Sequence, residues 1–356
     1  MTTLVLCALR LTYSKTHYFR TAFFSTQPER ASEKPSGKVV NVAIIGAPNS
    51  GKSTLINKII KRKICAASNK VHTTTKMVRA MCYENNTQIV FLDTPGIVTD
   101  KEKRKYNLPE SMLVACHKSL RCADVVGVVH DISNAYTKDQ LHADVITMLR
   151  SIEHIQSFLI INKVDRLKSK NQLLSIINNL TNGYIAGNPI PGTEKKRRSK
   201  QESEKKMERG YTKFSDVFLV SALNGDGVQD IKEYLISNAK PGGFQYSPEL
   251  WTDQKPETLI EEAVRAKFLD FLSHEIPYKL NVQLEYFDEI KEEEKVVCSV
   301  VVECASERLA RLIAGAGGGR LQQIKSHVRQ DLMDLFKKIV VIDLQLKVKS
   351  KPEAES

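Results

Sequence analysis

Short apolar runs alternate with stretches of helical spacing through the first two thirds of the chain. Residues 38–45 read as a short buried strand, and residues 54–60 place their apolar positions at helical spacing. Runs at 88–92, 123–130, 158–161 and 216–220 read as further strands, the last leading through a turn into a helix over 228–238. Strands taking turns with helices predict an α/β, mostly parallel, doubly wound sheet, with any ligand at the C-terminal ends of the strands. After Pro241-Gly242-Gly243 the pattern changes. Residues 257–275 read as an amphipathic helix, 280–287 and 296–303 as strands, and 306–309 as a helical turn. A glycine-rich stretch follows, then a helix over 319–337 and a closing strand over 339–348. This predicts a second, α+β domain.

The turn between the first strand and helix is Gly46-Ala47-Pro48-Asn49-Ser50-Gly51-Lys52-Ser53, followed by Thr54. It fits the phosphate-binding pattern G-x-x-x-x-G-K-[ST]. Backbone N–H groups of such a loop turn inward around phosphate oxygens, and the helix behind adds its positive N-terminus. Lys52 reaches the β- and γ-phosphates in this reading, and Ser53 places its hydroxyl on Mg²⁺. The strand at 88–92 runs into Asp93-Thr94-Pro95-Gly96. There an Asp can hold Mg²⁺ and the Gly96 N–H can meet the γ-phosphate. A hydroxyl from Val71-His72-Thr73-Thr74-Thr75 can complete the metal shell when the γ-phosphate is present, making that segment an order–disorder switch.

The strand at 158–161 ends in Asn162-Lys163-Val164-Asp165. The Asp165 carboxylate can accept two hydrogens from guanine N1 and its exocyclic amine. Adenine offers a different pattern and would leave a buried carboxylate unpaired. Asn162 and Lys163 brace the loop and cover the ring, and the backbone of Ser221-Ala222-Leu223 can touch the guanine O6. Ile97 stands where many small GTPases have a glutamine that orients the attacking water, so slow intrinsic hydrolysis is expected. Asn49 either helps to bind a monovalent cation such as K⁺ or simply braces the loop.

Composition adds a compartment and a partner. The net charge of +12 suggests a polyanion, nucleic acid before membrane. Seven cysteines without a C-x-x-C pair argue against both a disulfide scaffold and a zinc site. No apolar run approaches the roughly 20 residues of a membrane span. Residues 1–28 contain no Asp or Glu, carry Arg10, Lys15 and Arg20, and are rich in hydroxyls, as in a mitochondrial transit peptide. Residues 187–213, with Glu194-Lys195-Lys196-Arg197-Arg198-Ser199-Lys200, read as a mobile insertion that is either an RNA contact or a solvated loop.

In the second domain, Gly315-Ala316-Gly317-Gly318 lies between helices next to a three-stranded pattern. A G-x-x-G loop in that setting is how a KH module holds the backbone of single-stranded nucleic acid. Arg320, Lys325 and Arg329 lie near enough in sequence to supply cations.

With G-A-P-N-S-G-K-S, H-T-T-T-K, D-T-P-G, N-K-V-D and S-A-L followed by a type II KH pattern, the chain resembles the Era GTPases over roughly residues 40–348. The connector and Glu275-Ile276-Pro277-Tyr278 are similar too. The resemblance implies a doubly wound P-loop GTPase domain at 39–240 and a connector at 241–256. An α+β type II KH domain at 257–349 and a tail at 350–356 follow, with a transit peptide and linker at 1–38 ahead of them. It implies Lys52, Thr74 and Gly96 as catalytic groups and Ser53, Thr74 and Asp93 at Mg²⁺. It further implies a small-subunit assembly factor that binds the 3′ region of the rRNA under control of GTP. With the apparent transit peptide, that means the small mitoribosomal subunit in the matrix, with peripheral contact at the inner membrane left open and a monomer expected off the ribosome. Ala316 stands where family members often carry a basic residue, which implies a weaker phosphate grip. A KH protein whose nucleotide domain senses GTP but hardly turns over is the competing reading. A tRNA-modifying GTPase fits poorly, lacking a C-terminal Cys motif and a folate-type domain.

Overall fold

The computed structural model describes residues 36–67, 78–94, 119–167, 169–191, 209–273 and 276–348. Thr74, Pro95, Gly96, Ile97, the N-terminal segment 1–35, the middle of the insertion (192–208) and the tail 350–356 lie outside the described residues.

The larger sheet has seven strands. They are β1 (Ser36–Ile45), β2 (Val78–Glu84), β3 (Thr87–Asp93), β4 (Val125–Asp131), β5 (Gln156–Asn162), β8 (Phe214–Val220) and β9 (Lys240–Gly243), while β6 (Tyr184–Ile185) and β7 (Asn188–Pro189) form a separate hairpin. The order is β2-β3-β1-β4-β5-β8, parallel from β3 to β8, with β2 antiparallel on its edge. The parallel strands are nearly apolar throughout because both faces are covered. Val40, Val42, Ile44, Phe91, Phe158 and Ile160 face α1 (Lys52–Ile60) and, further along the chain, α4 (Val228–Ser237). Ala43, Ile45, Val90, Leu92, Leu159 and Ile161 face the intervening α2 (Ala143–Ser151) and α3 (Leu173–Leu180). Each fully buried Phe or Ile here contributes about 1.5–3 kcal/mol relative to exposure.

Pro241-Gly242-Gly243 is not the loose boundary that its composition suggests. These residues are part of β9, which pairs antiparallel with the start of β1, Ser36 opposite Gly243 and Val39 opposite Lys240. β1 meets β4 only from Val42 onward, so its first residues offer that side to another strand. The connector that follows is stitched to β2 and β3. Gln88 exchanges side-chain bonds with the backbone of Gln245 and Tyr246, the Met81 N–H donates to the Trp251 carbonyl at 2.9 Å, and Arg79 pairs with Asp253 at 2.8 Å.

The second sheet is β10 (Asn281–Ile290), β11 (Lys295–Cys304) and β12 (Ile339–Val348), β10 antiparallel and β12 parallel to the central β11. With α5 (Pro256–Phe271), α6 (Glu307–Ala314) and α7 (Gly319–Phe336) it makes an αββααβ unit. Val296, Val300, Val302, Val340 and Ile342 belong to the same apolar cluster as the α1 face of the large sheet. Three expectations need correction. α5 stops at Phe271, four residues short of 275. β10 extends to Ile290 through a bulge at Leu284/Tyr286. The turn at 306–309 is a full helix, α6, capped by the Ser306 side chain accepting from the Leu309 N–H.

The ends of the insertion are fixed as well. Tyr211 is 6% exposed, its N–H donates to the Leu180 carbonyl and its ring packs on Phe214. The mobile reading of 187–213 therefore fails at both ends, where the β6–β7 hairpin and Tyr211 anchor the chain.

Candidate functional site

β1 ends at Ile45 and α1 begins at Lys52, so Gly46–Gly51 forms a tight loop over the helix N-terminus. The loop takes Asn49 (φ 59°) and Gly51 (φ 98°) through the left-handed region. Lys52 is 7% exposed, and its ammonium donates to the carbonyls of Gly46 (3.2 Å) and Ala47 (3.0 Å). The cation is thus held inside the arc of its own loop, where phosphate oxygens could replace those carbonyls. Ser50 is buried, and its hydroxyl oxygen has no hydrogen-bond partner among the described residues. Pro48, inside the loop, and Thr54, in the first turn of α1, are half-buried.

Asp93 is fully buried at the end of β3, and Ser53 donates to its Oδ2 at 2.9 Å. Two hard oxygens, hydroxyl and carboxylate, therefore stand together at a helix N-terminus. That donor set suits Mg²⁺ rather than a soft metal. Thr94 points the other way and donates to the Ile44 carbonyl, tying β3 to β1 just below the loop. Cys65 lies fully buried beside Asp93; burial first, and the neighbouring carboxylate second, push its thiol well above the usual range.

The loop after β5 joins this site through side chains. Asn162 donates from Nδ2 to the Ser50 carbonyl (2.8 Å) and accepts from the Ala222 N–H (3.0 Å). Lys163, in the left-handed region at φ 65°, donates to the Asn49 carbonyl (2.9 Å) and to Asp131 (2.5 Å). Asp165 is exposed in the following 3₁₀ turn, Val164–Arg166. The three loops at 46–53, 162–165 and 221–223 are therefore one hydrogen-bonded assembly. Because the Ala222 N–H is engaged by Asn162, its expected contact with guanine O6 requires an exchange of partners. Ser221 is buried and accepts from the Asn224 N–H, whereas Leu223 is 69% exposed and its carbonyl accepts from Lys58.

In the second unit Gly315, Gly317 and Gly318 all have positive φ (77°, 58° and 75°), and a side chain at Gly317 or Gly318 would enter open space. Ala316 and Gly317 are exposed between α6 and α7. Arg320 reaches back across the loop to the Leu312 carbonyl at 2.9 Å. Lys325 and Arg329 are placed otherwise. Lys325 pairs with Asp343 (3.5 Å) and Arg329 donates to the Val340 carbonyl (3.0 Å), both on β12. Helical rotation turns Arg329 about 180° from Arg320 and roughly 14 Å along the axis. Exposed Arg311 and Leu312, in the last turn of α6 before the loop, were hidden by reading that helix as one turn.

The fold and these loops define a P-loop GTPase with an appended α+β unit. A family model described as 50S ribosome-binding GTPase matches residues 41–163. The mitochondrial GTPase Era of Danio rerio is 35% identical over 91% of this chain and 77% of its own. Two solved structures share the fold over 88% of this chain and 95% of theirs. One is Era in complex with MgGDPNP and nucleotides 1506–1542 of 16S ribosomal RNA, with a TM-score of 0.68 at 24% identity. The other is an Era variant from Aquifex aeolicus bound to GDP.AlF4-, with a TM-score of 0.67 at 25% identity. The chain belongs to the Era family of GTPases.

Proposed function

We propose that the protein is a slowly hydrolysing, GTP-gated RNA chaperone that binds the 3′ region of small-subunit mitochondrial rRNA and assists assembly of the small mitoribosomal subunit. The observation that carries this reading is the pairing, in one chain, of a cross-braced three-loop nucleotide site with an exposed glycine loop between α6 and α7. Relatives named mitochondrial Era support the compartment, and the Era structure that contains 16S ribosomal RNA supports the RNA class.

In this reading Gly46–Thr54 cradle the phosphates, Lys52 exchanges its loop carbonyls for β- and γ-phosphate oxygens, and Asp165 selects guanine. Ser53 and Asp93, with Thr74, would hold Mg²⁺. The ion, when bound, would supply positive charge to offset the negative charge on the phosphate oxygens. Low intrinsic turnover follows from Ile97, which cannot orient water, and the same residue favours the second reading of a nucleotide sensor with a KH module. Multiple-turnover phosphate release separates the two. Stimulation by small subunits is expected for the switch, and no stimulation for the sensor. The same assay in potassium and in sodium addresses Asn49 as a cation ligand, since equal rates would count against that role. The matrix location and a peripheral inner-membrane contact belong to the proposal.

Crosslinking in mitochondria, with sequencing of the bound RNA, tests the partner. A peak near the 3′ end of small-subunit rRNA is expected, and it should be lost in Gly317→Asp. The left-handed geometry at 317 accepts Asp better than most residues, and a Cβ there would meet no protein atom within 4 Å. The variant should therefore keep its fold while turning a carboxylate towards the RNA backbone. Enrichment on tRNA or mRNA would overturn the small-subunit assignment.

A further inference from the structure

Asp131 ends β4, opposite Asn162 in the register of β4 and β5. Nothing in its sequence context marks it for a role. The fold brings its carboxylate to the side chain of Lys163, with Oδ2 accepting from the ammonium at 2.5 Å and Oδ1 accepting from the Ser133 N–H at 2.8 Å. Both oxygens are engaged, so the carboxylate has a fixed orientation. The Lys163 ammonium in turn donates to the Asn49 carbonyl at 2.9 Å. One cation is thereby gripped by β4 on one side and by the phosphate loop on the other. The two side chains are only 25% and 22% exposed, so solvent screens the pair less than an ordinary surface bridge. Burial alone would raise the Asp131 carboxyl, but its bonds with Lys163 and Ser133 prevail and hold it below the usual range, consistent with a permanent anion.

We propose that Asp131 is a positioning residue for guanine nucleotide: it anchors the Lys163 ammonium so that the lysine's four-carbon stem is held beside the base and the base-reading loop stays locked to the phosphate loop. The inference rests on the guanine-nucleotide reading of the site above. The chemistry is a matter of preorganisation. A lysine stem has several rotors, and holding it in one arrangement before the nucleotide arrives removes an ordering cost from binding. The Asn49 carbonyl by itself is a neutral acceptor and holds the ammonium less firmly than a carboxylate does. Asp131 touches no reacting atom in this arrangement and acts only through Lys163.

The test is the dissociation rate of a fluorescent GDP from the full chain, measured in a double-mutant cycle. Asp131→Ala should release GDP about ten-fold faster, the size expected for losing one charged hydrogen bond. Asp131→Asn, which keeps the shape and a neutral acceptor, should fall between it and wild type. In a Lys163→Ala background, Asp131→Ala should add nothing, because the residue it positions is gone. A change that acts by loosening the fold would instead persist in that background, so additive effects would overturn the proposal. An unchanged rate in Asp131→Ala with normal GDP retention by wild type would overturn it as well and leave the nucleotide site standing. Wild-type protein that retained no GDP at micromolar concentration would overturn the nucleotide reading and this inference with it.

Discussion

Replacing Gly51 with alanine should lower affinity for GTP and GDP by a factor on the order of 10². Two effects act together. Gly51 sits at φ 98° and ψ 21°, where a side chain costs roughly 1–2 kcal/mol in backbone strain. A methyl placed there would also lie 2.2 Å from Asn162 Nδ2, a separation that neither group can keep. Asn162 must then move, and with it go its bonds to the Ser50 carbonyl and the Ala222 N–H. Losing both costs about 1 kcal/mol each. One methyl therefore distorts the phosphate loop directly and detaches the other two loops from it. Equilibrium titration with a fluorescent nucleotide checks the result. An affinity equal to that of wild type would mean that the three-loop assembly does not set nucleotide binding. Combining Gly51→Ala with Asn162→Ala separates the two effects, since the double variant removes the clash but keeps the backbone strain.

The parts of the molecule legible in the sequence are those fixed by local chemistry. The loop at 46–53 announces itself because glycines and a lysine at that spacing have few other uses, and the structure puts it between β1 and α1 as expected. The parallel strands of the large sheet were legible because helices cover both faces, leaving little polar signal to confuse the pattern, whereas the antiparallel edge strand β2 was not read. What the sequence hid depends on pairing across distance. Pro241-Gly242-Gly243 reads as punctuation, and only the free side of β1 at Ser36–Val39 turns it into a strand. α6 was short-changed because Ile313 is its one fully buried apolar residue, while Glu307, Arg308 and Arg311 face solvent. Leu309, Leu312 and Ile313 do keep helical spacing, but eight residues make only about two turns before the glycines, too short a window for the repeat to stand out. Lys325 and Arg329 looked like loop cations from their spacing, yet helical rotation and acceptors on β12 took them elsewhere. Asp131 was invisible for the same reason that Pro241 misled, since its partner, Lys163, lies just past the end of another strand, β5.

Asp331→Ala should destabilise the folded protein by about 3 kcal/mol, the loss expected when one partner of a buried charge cluster is removed. Asp331 lies on α7 and is shared by two lysines, Lys63 at 2.5 Å and Lys267 at 2.9 Å. Lys63 follows α1, the helix of the phosphate loop, and Lys267 is on α5. The carboxylate and Lys267 are about nine-tenths buried, so water cannot compensate for the missing anion. Neighbouring contacts share the load. Arg62 donates to the Leu335 carbonyl at 3.0 Å, at the C-terminal end of α7 where a cation complements the helix dipole. Its guanidinium also lies 5.3 Å from the Trp251 ring, which meets Phe336 edge to face. The loss should therefore show in denaturant melts as a lower midpoint, and in hydrogen exchange as weaker protection at the end of α7. Asp331→Asn should lose less, because an amide oxygen still accepts from both lysines. The decisive comparison is the triple variant Lys63→Met, Lys267→Met, Asp331→Leu. If the cost of Asp331→Ala comes from two lysines left with only Asp270, 4.0 Å from Lys267, as counter-charge, removing all three charges should restore much of the stability. If the triple variant melts as low as Asp331→Ala, the bonds themselves hold the second unit to the phosphate-loop helix, and apolar packing around Trp251 and Phe336 is not enough to replace them.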